Sequence, residues 1–181
     1  MGSDTCERYK SRIYVACLAA YNSGFLHGEW IDAEQDPWQI YDAISAMLRR
    51  SPIAGAEEYA IHDYEGFGDL RLSEHTGIEQ VAQLAAFIVE HGAIGTAILS
   101  YYSGDLDEAR EACEDRYLGT FESVADFMAG LTEESMTVPD RLRFYIDWEA
   151  MARDAELSGD LFTIQTAHDE AHDEVHIFNA H

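Results

Sequence analysis

Ala56–Gly68 reads AEEYAIHDYEGFG and combines two features that recur along the chain, strand-forming residues and acidic side chains. The aromatic and β-branched residues between Glu58 and Tyr64 predict a β-strand. The same stretch carries four carboxylates, at Glu57, Glu58, Asp63 and Glu65. It contains no catalytic motif, so we interpret it as a strand that displays negative charge on its surface.

Two strands and a helix are predicted upstream of this segment. Arg12–Asp32 has the pattern of a β-hairpin, because IYVACLAAY and FLHGEWIDA are rich in strand formers and flank the turn residues Asn22–Gly24. Asp36, Pro37 and Gln39 then have the pattern of a helix start. We therefore expect a small sheet covered by one helix in the N-terminal part of the chain.

The downstream sequence predicts five helices and a final hairpin. The helices run from a Thr76/Glu79 capping box to Gly92, over Gly95–Tyr102, from Asp105 to about Tyr117, from a Ser123/Asp126 cap to Leu131, and from Pro139 to about Gly159. The closing segments DLFTIQTA and VHIFNAH predict two strands. This order indicates an α+β fold of small subdomains, at 1–68 (β-rich), 69–116 (acidic and helical) and 117–181 (helix plus β).

Acidity dominates the composition. The 181 residues include 35 Asp and Glu against 11 Lys and Arg, a net charge of −24, and Lys10 is the only lysine. A hydrophobic content of 47% excludes a disordered acidic tail, because it is enough to form a core. The charge lies mainly beyond residue 50: residues 1–50 carry −2, residues 51–126 carry −13 and residues 127–181 carry −9. We expect such a protein to avoid nucleic acid and to bind basic partners.

The densest acidic segment is Asp105–Asp115, DLDEAREACED. As a helix it would span ~16 Å, and its six acids less Arg110 would leave five charges, about one per 3.3 Å. One strand of B-DNA carries one charge per ~3.4 Å. The whole chain matches the charge of ~41 Å of duplex, or about 12 base pairs. This agreement permits DNA mimicry, although any dense acidic helix would give a similar figure.

Motifs for catalysis, metal binding and membrane insertion are weak. His168–His172 reads HDEAH, but the zincin signature requires Glu directly after the first His, and strand-like flanks favour a turn. His62–Asp63 could form a base and its orienting carboxylate, yet no nucleophile motif lies nearby. The three cysteines lack metal-site or disulfide spacing, and no run approaches 18 apolar residues. We expect no enzyme activity, no cofactor or metal, no membrane span and a cytoplasmic location.

Four blocks of the chain carry a resemblance to a known family. They are RIYVACLAAYNSGFLHGEWIDA (Arg12–Ala33), AEEYAIHDYEGF (Ala56–Phe67), YLGTFESVADF (Tyr117–Phe127) and YIDWEAMARDAELSGDLFTI (Tyr145–Ile164). Taken in order, they resemble the ArdA-type antirestriction proteins, small acidic proteins carried by plasmids, phages and conjugative transposons. The first ten or so residues and the His-rich end after Ile164 lie outside the resemblance.

The resemblance implies a non-enzymatic inhibitor of type I restriction–modification enzymes. Members of that family mimic bent DNA in the groove formed by the specificity and methyltransferase subunits. The resemblance also implies an elongated molecule of three small subdomains and a homodimer, whose combined charge would match ~80 Å of duplex. It supplies no catalytic motif to transfer.

We hypothesise that one set of carboxylates stands in for DNA phosphates. Seven apolar or aromatic residues are assigned to cores. The phosphate mimics are Asp63, Glu65, Asp69, Asp105, Asp107, Glu108, Glu111, Glu114, Asp115, Glu122 and Asp126. The core residues are Cys17, Trp30, Trp38, Ile61, Phe87, Phe127 and Trp148. Two alternatives stay open: an acidic protein or enzyme adapted to high salt, and an acidic adaptor for another basic DNA-binding protein.

Overall fold

The N-terminal sheet has three antiparallel strands, β1 (Arg12–Cys17), β2 (Gly28–Asp32) and β3 (Tyr59–Glu65), in the order β2-β1-β3. The structure is a computed structural model and describes residues 10–166 and 174–181. Alternation along β1 directs the β-branched Ile13 and Val15 into the core, where both are fully buried. The predicted pairing of the first two strands and the predicted third strand are confirmed.

The connection between β1 and β2 differs from the prediction. β1 ends at Cys17, and the next residues form a short helix, α1 (Leu18–Asn22), instead of continuing the strand to Tyr21. The Ala20 N–H donates to Cys17 Sγ at 3.5 Å, which satisfies one free donor of the first turn. The small side chains of LAAYN allow this helix, whereas the strand pattern of IYVAC ends before them.

The first covering helix, α2 (Pro37–Arg49), begins as the sequence indicates. The Asp36 N–H donates to Gln39 Oε1 at 3.2 Å, and Pro37 occupies the first helical position. The buried residues Ile40, Ile44 and Met47 lie on one face of the helix.

The second covering helix, α3 (Ile78–Tyr101), starts one residue later than the predicted cap and is interrupted. Its N-cap is Gly77, and the Thr76 hydroxyl instead accepts from the Ser73 N–H at 2.9 Å, so the predicted capping box is wrong. Gly92 has φ 60° and ψ −134°, a conformation that glycine adopts without steric cost and that breaks the helix. The predicted end of one helix at Gly92 and start of another shortly after it are therefore close to the structure.

By length and composition, α3 could also cross a membrane, with a mean hydropathy of 1.4 over 18 residues. The sequence contains no uninterrupted run of 18 apolar residues, which is why no membrane span was predicted. The break at Gly92 leaves two parts, each shorter than the roughly 20 residues of a membrane span. Val81, Leu84 and Ile88 on the first part are buried in the protein, which is typical of a core helix.

The chain divides into two compact units, Met1–Leu106 and Asp107–His181. Around the boundary lies α4 (Leu106–Glu111), which continues as a π-helical turn over Ala112–Arg116. The predicted helix through this segment is thus present, but its last five residues are π-helical. The division at 1–68, 69–116 and 117–181 stays a prediction.

The second unit contains its own antiparallel sheet, formed by β4 (Tyr117–Phe121), β5 (Leu161–Thr166) and β6 (Glu174–Asn179), in the order β4-β6-β5. The predicted pairing of the last two strands is confirmed, whereas β4 was not predicted. Ile177 and Phe178 on the central strand are fully buried. The segment that joins β5 to β6, with His168 and His172, lies outside the described residues.

Three helices accompany this sheet: α5 (Val124–Ser135), α6 (Asp140–Arg143) and α7 (Trp148–Ser158). Ser123 Oγ accepts from the Asp126 N–H at 3.1 Å, which confirms the predicted cap of α5. The single helix predicted from Pro139 to Gly159 is wrong, because the chain leaves the helix after α6 and Asp147 caps a new one, with Oδ1 accepting from the Ala150 N–H at 2.9 Å.

The two units together give mixed helices and two small antiparallel sheets, which confirms the α+β class. Among the predicted core residues, Cys17, Ile61 and Phe87 are buried, and Phe127 and Trp148 are half-buried. The prediction is wrong for Trp30 and Trp38, which are 36% and 61% exposed. Their large apolar rings suggested burial, but strand alternation and helix phase turn both outward.

Phe178 and Trp38 provide a test of this core. Phe178 is fully buried and stacks on Phe162 with ring centroids 4.8 Å apart. We expect Phe178→Ala to lower the free energy of unfolding by about 3–5 kcal/mol, and Trp38→Ala to change it by less than about 1 kcal/mol. Urea unfolding followed by circular dichroism measures both values. Equal losses in the two variants would contradict the core assignment.

Candidate partner-binding surface

Carboxylates on the molecular surface form the candidate site. All of the predicted phosphate-mimic residues are exposed: Asp63, Glu65, Asp69, Asp105, Asp107, Glu108, Glu111, Glu114, Asp115, Glu122 and Asp126. Within residues 10–166 and 174–181, no Asp or Glu is buried, and only Asp32 and Glu174 are partly covered. A solvated carboxylate can meet a cation without a large desolvation cost.

The first group lies at the end of β3. Strand alternation turns Asp63 and Glu65 to the outer face of the sheet, and Asp69 follows in the next turn. Glu65 Oε2 accepts from Arg12 Nε at 2.8 Å and pairs with Arg12 Nη2 at 2.6 Å. Both side chains of this pair are about half exposed, so it is worth at most about 1 kcal/mol. The charge of Glu65 is matched within the chain, whereas Asp69 makes no ion pair with any residue that the structure describes.

The second group lies on α4 and the π-helical turn, where Arg116 folds back across the acidic segment. Arg116 Nη2 lies 3.0 Å from Glu108 Oε2, and Nε lies 3.7 Å from Glu111 Oε1. Nη2 also donates to the Glu108 carbonyl oxygen at 3.2 Å. The side chain of Arg116 is only 12% exposed, so its charge is directed at this segment. With Arg110 and Arg116 both counted, the six acids leave four net charges, one fewer than the sequence estimate.

The third group surrounds the start of α5. The Ser123 hydroxyl donates to Asp126 Oδ2 at 2.6 Å, so Asp126 helps to fix the helix start, where a negative charge is also favourable. Glu122 precedes the cap and is exposed. Glu114 and Asp115, which belong to the second group, are exposed on the π-helical turn. Of these four carboxylates, Glu122, Glu114 and Asp115 make no ion pair with any residue in the described ranges, so they are available to an outside cation.

The two units are both strongly acidic. Counted from the sequence, Met1–Leu106 holds 16 acids and 6 bases, a net charge of −10, and Asp107–His181 holds 19 acids and 5 bases, a net charge of −14. Internal ion pairs take up part of the few bases: Arg50 pairs with Glu29, and Arg143 with Glu133. The surface of each unit therefore offers many carboxylates and few competing cations.

Glu79 is a surface carboxylate that sequence reasoning did not select. The Tyr41 hydroxyl donates to both of its oxygens, at 3.2 and 3.1 Å. Burial and this hydrogen bond raise the pKa of Tyr41, and burial raises the pKa of Tyr59. Both phenols therefore stay neutral at physiological pH, and Tyr41 holds the Glu79 carboxylate in place.

The described residues form neither the His62–Asp63 catalytic pair nor a metal site. The His62 ring lies edge-on to Tyr21, with ring centroids 4.9 Å apart. Asp63 Oδ1 accepts from the Tyr64 N–H, and no hydrogen bond joins it to His62 in the part of the chain that the structure describes. The same part contains no group of three or more His, Cys, Asp or Glu side chains that could hold a metal ion. The candidate site in the described residues is therefore a surface of exposed carboxylates.

Sequence reasoning also missed the role of four residues around the outer face of the N-terminal sheet. The Arg12 guanidinium carbon lies 4.9 Å from the centroid of the Trp30 ring, and Lys10 Nζ lies 3.3 Å from Asp32 Oδ2. The alternation of RIYVAC against GEWID could have placed Arg12 and Trp30 on one face, but Trp30 was assigned to the core. Its position makes it a surface aromatic among charged side chains.

Comparison with known families identifies the chain. The sequence model of the antirestriction protein family ArdA matches residues 13–170. The chain belongs to the ArdA family. This match spans residues of both units and includes every carboxylate that we selected, and membership of ArdA implies an antirestriction function. No curated protein matches the chain.

Arg116 is the residue whose removal should most disturb the acidic segment of this ArdA protein. We expect Arg116→Gln to lower the free energy of unfolding by about 1–3 kcal/mol, because Glu108 and Glu111 lose a largely covered counter-charge. Added salt should recover part of the loss by screening the acids. Arg110→Gln, on the exposed side of the same helix, is the matched control for charge. Urea unfolding at low and high salt measures both, and equal effects would contradict this role.

Proposed function

We propose that this ArdA-family protein is a non-catalytic DNA mimic that acts in the cytoplasm and inhibits type I restriction–modification enzymes. Its carboxylates would occupy the positions of DNA phosphates in the groove formed by the specificity and methyltransferase subunits. The observation that carries the proposal is the exposure of every described acidic residue apart from the partly covered Asp32 and Glu174. Restriction would be blocked because DNA and the inhibitor compete for one groove, and modification would be blocked for the same reason.

The physical basis of such binding is the release of counterions from two charged surfaces. A DNA-binding groove is lined with Lys and Arg side chains that contact phosphates, and affinity for it falls steeply as salt rises. A surface of many exposed carboxylates engages such a groove through numerous modest contacts. The energy is thus distributed, and single substitutions should have mild effects.

The internal ion pairs indicate which carboxylates contribute most. Glu108 and Glu111 already face Arg116, and Glu65 faces Arg12, so each must share or exchange its partner on binding. Asp69, Glu114, Asp115 and Glu122 carry no such counter-charge from the described residues. We assign the largest share of the electrostatic attraction to these four.

We also propose that the protein is a homodimer that associates through an apolar surface on the second unit. This surface comprises Leu131, Met136, Leu142, Phe144 and Tyr145, with Phe144 90% and Tyr145 86% exposed. Exposed apolar side chains in such number are typical of interaction sites. Residues 131–146, which contain this surface, hold three acids and two bases, a local charge of −1. Two copies that each carry −24 repel one another less at this nearly neutral surface than at the acidic segment Asp105–Asp115, which favours a second copy as the occupant.

A competition titration tests the inhibitory function. A labelled duplex with a type I recognition site is bound to a purified specificity–methyltransferase core, and fluorescence anisotropy is followed as the protein is added. We expect stoichiometric displacement that weakens as salt rises. If folded protein displaced no DNA from several type I families at low salt, the DNA-mimic proposal would be wrong. Improved folding at molar salt in that case would favour a salt-adapted acidic protein.

The same assay tests the assignment of carboxylates. We expect Glu114→Gln with Asp115→Asn to weaken displacement by about three- to tenfold and to reduce the salt dependence. The control, Glu57→Gln with Glu58→Gln, removes the same charge from exposed residues outside the selected set and should have a smaller effect. If Glu111→Ala alone abolished inhibition in a folded protein, the distribution of energy over many contacts would be refuted.

The molecular mass in solution tests the dimer surface. Phe144→Ser with Tyr145→Ser should halve the mass measured by light scattering, because the variant loses most of the apolar contact. Leu157→Ser, at a residue that is 79% exposed in the same unit but outside the surface, should leave the mass unchanged. A dimeric double variant would place the interface elsewhere, and a monomeric unmodified protein would exclude the dimer.

A further inference from the structure

The outer face of the N-terminal sheet combines an aromatic ring with charged side chains of both signs. In the antiparallel register, Arg12 of β1 lies opposite Asp32 of β2 and Glu65 of β3. Tyr14, two residues along β1, lies opposite Trp30, and the two rings are tilted with centroids 5.6 Å apart. Because residues two apart share a face, these side chains project from the same side of the sheet.

Arg12 shows what this face can bind. Its guanidinium carbon lies 4.9 Å from the Trp30 ring centroid, while Nε and Nη2 both approach the single oxygen Glu65 Oε2, at 2.8 and 2.6 Å. An aromatic face for the guanidinium plane and a carboxylate for its edge are the two contacts that favour arginine over lysine. The face is thus already occupied by a guanidinium that belongs to the chain itself.

The occupied site is open to solvent and balanced in charge. Lys10, Arg12, Trp30, Asp32 and Glu65 line a cavity of about 440 Å³. Lys10 pairs with Asp32 and Arg12 with Glu65, and the four charged side chains are each about half exposed. Ion pairs in this setting are weak and exchange readily. An incoming arginine that takes the place of Arg12 makes the same two contacts, with the Trp30 ring and with Glu65, while the Arg12 guanidinium turns into solvent.

We propose that Trp30 and Glu65, with Asp32 at the rim, form a binding site for an arginine side chain of a basic protein partner. Arg12 occupies the site in the free chain and is displaced on binding. The inference rests on the proposed function only for the identity of the partner, whose DNA-binding groove would supply the arginine. It gives Trp30 the role of an aromatic anchor beside the phosphate-mimic carboxylates Asp63 and Glu65.

Two other ligand classes fit this face less well. A phosphate group would meet Asp32 and Glu65, and both cations in the cavity already have an acidic partner. A lysine could pair with a carboxylate, but its compact ammonium group gains less from the flat Trp30 ring than a guanidinium does. Arginine is therefore the specific prediction, and a comparison of arginine with lysine is the direct test.

The test uses two short peptides, of four arginines and of four lysines, and does not require a restriction enzyme. The indole N–H signals of Trp30, Trp38 and Trp148 are followed by NMR in the full chain, with Trp30 assigned by its absence in Trp30→Leu. We expect the arginine peptide to shift the Trp30 signal and to bind about two- to fivefold more tightly than the lysine peptide. This preference should disappear in Trp30→Leu and persist in Trp38→Leu.

Variants of Arg12 and Arg50 test whether an incoming arginine displaces Arg12. Arg12→Gln should raise the affinity for the arginine peptide, because it empties the site. The increase should be about two- to fivefold larger than that caused by the control Arg50→Gln. The control also frees an exposed carboxylate, Glu29, but no aromatic ring. Equal affinity for the two peptides, or equal effects of the two variants, would overturn the proposal. A preserved arginine preference in a protein that displaces no DNA from type I enzymes would leave this site standing and refute the DNA-mimic function alone.

Discussion

The cost of burying a carboxylate constrains the whole molecule. An ionised Asp or Glu loses several kcal/mol when it leaves water without a partner, and 11 bases cannot provide partners for 35 acids. The acids must therefore stay on the surface, and no described Asp or Glu is buried. Two small units provide more surface for a given chain length than one large core would, so a division into small cores suits a chain of this charge.

Five of the ten bases within residues 10–166 and 174–181 form ion pairs with acids of the same chain. Arg12 joins β1 to β3 through Glu65, Arg116 holds the turn after α4, and Arg143 joins α6 to α5 through Glu133. Each of these ion pairs joins residues that lie far apart in the sequence or in different elements. The same ion pairs neutralise individual carboxylates, so the arginines that support the fold also reduce the negative charge of the surface. The charge presented to a partner therefore differs from the charge written in the sequence.

Local signals in the sequence predicted much of the fold. The caps at Asp36 and Ser123 are short-range features, and the alternation in β1, β3 and the closing strands is visible without the fold. Exposure of the eleven carboxylates was also predictable, because charge alone determines it. The pairs Arg12–Glu65 and Arg116–Glu108 were not, since they depend on strand register and on a π-helical turn. The outward position of Trp30 was missed for the same reason: a large apolar ring suggests a core until register assigns its face.

Lys10 has a practical consequence. It is the only lysine in the sequence, and it lies half exposed beside Asp32, at the rim of the cavity that also contains Trp30. Reagents that modify primary amines would attach to this side chain or to the chain's terminal amine. A protein immobilised or labelled through Lys10 would have its N-terminal sheet held against the support or covered by the dye. In a Cys6→Ser variant, attachment through the partly exposed Cys113 thiol would place the tether on the second unit instead.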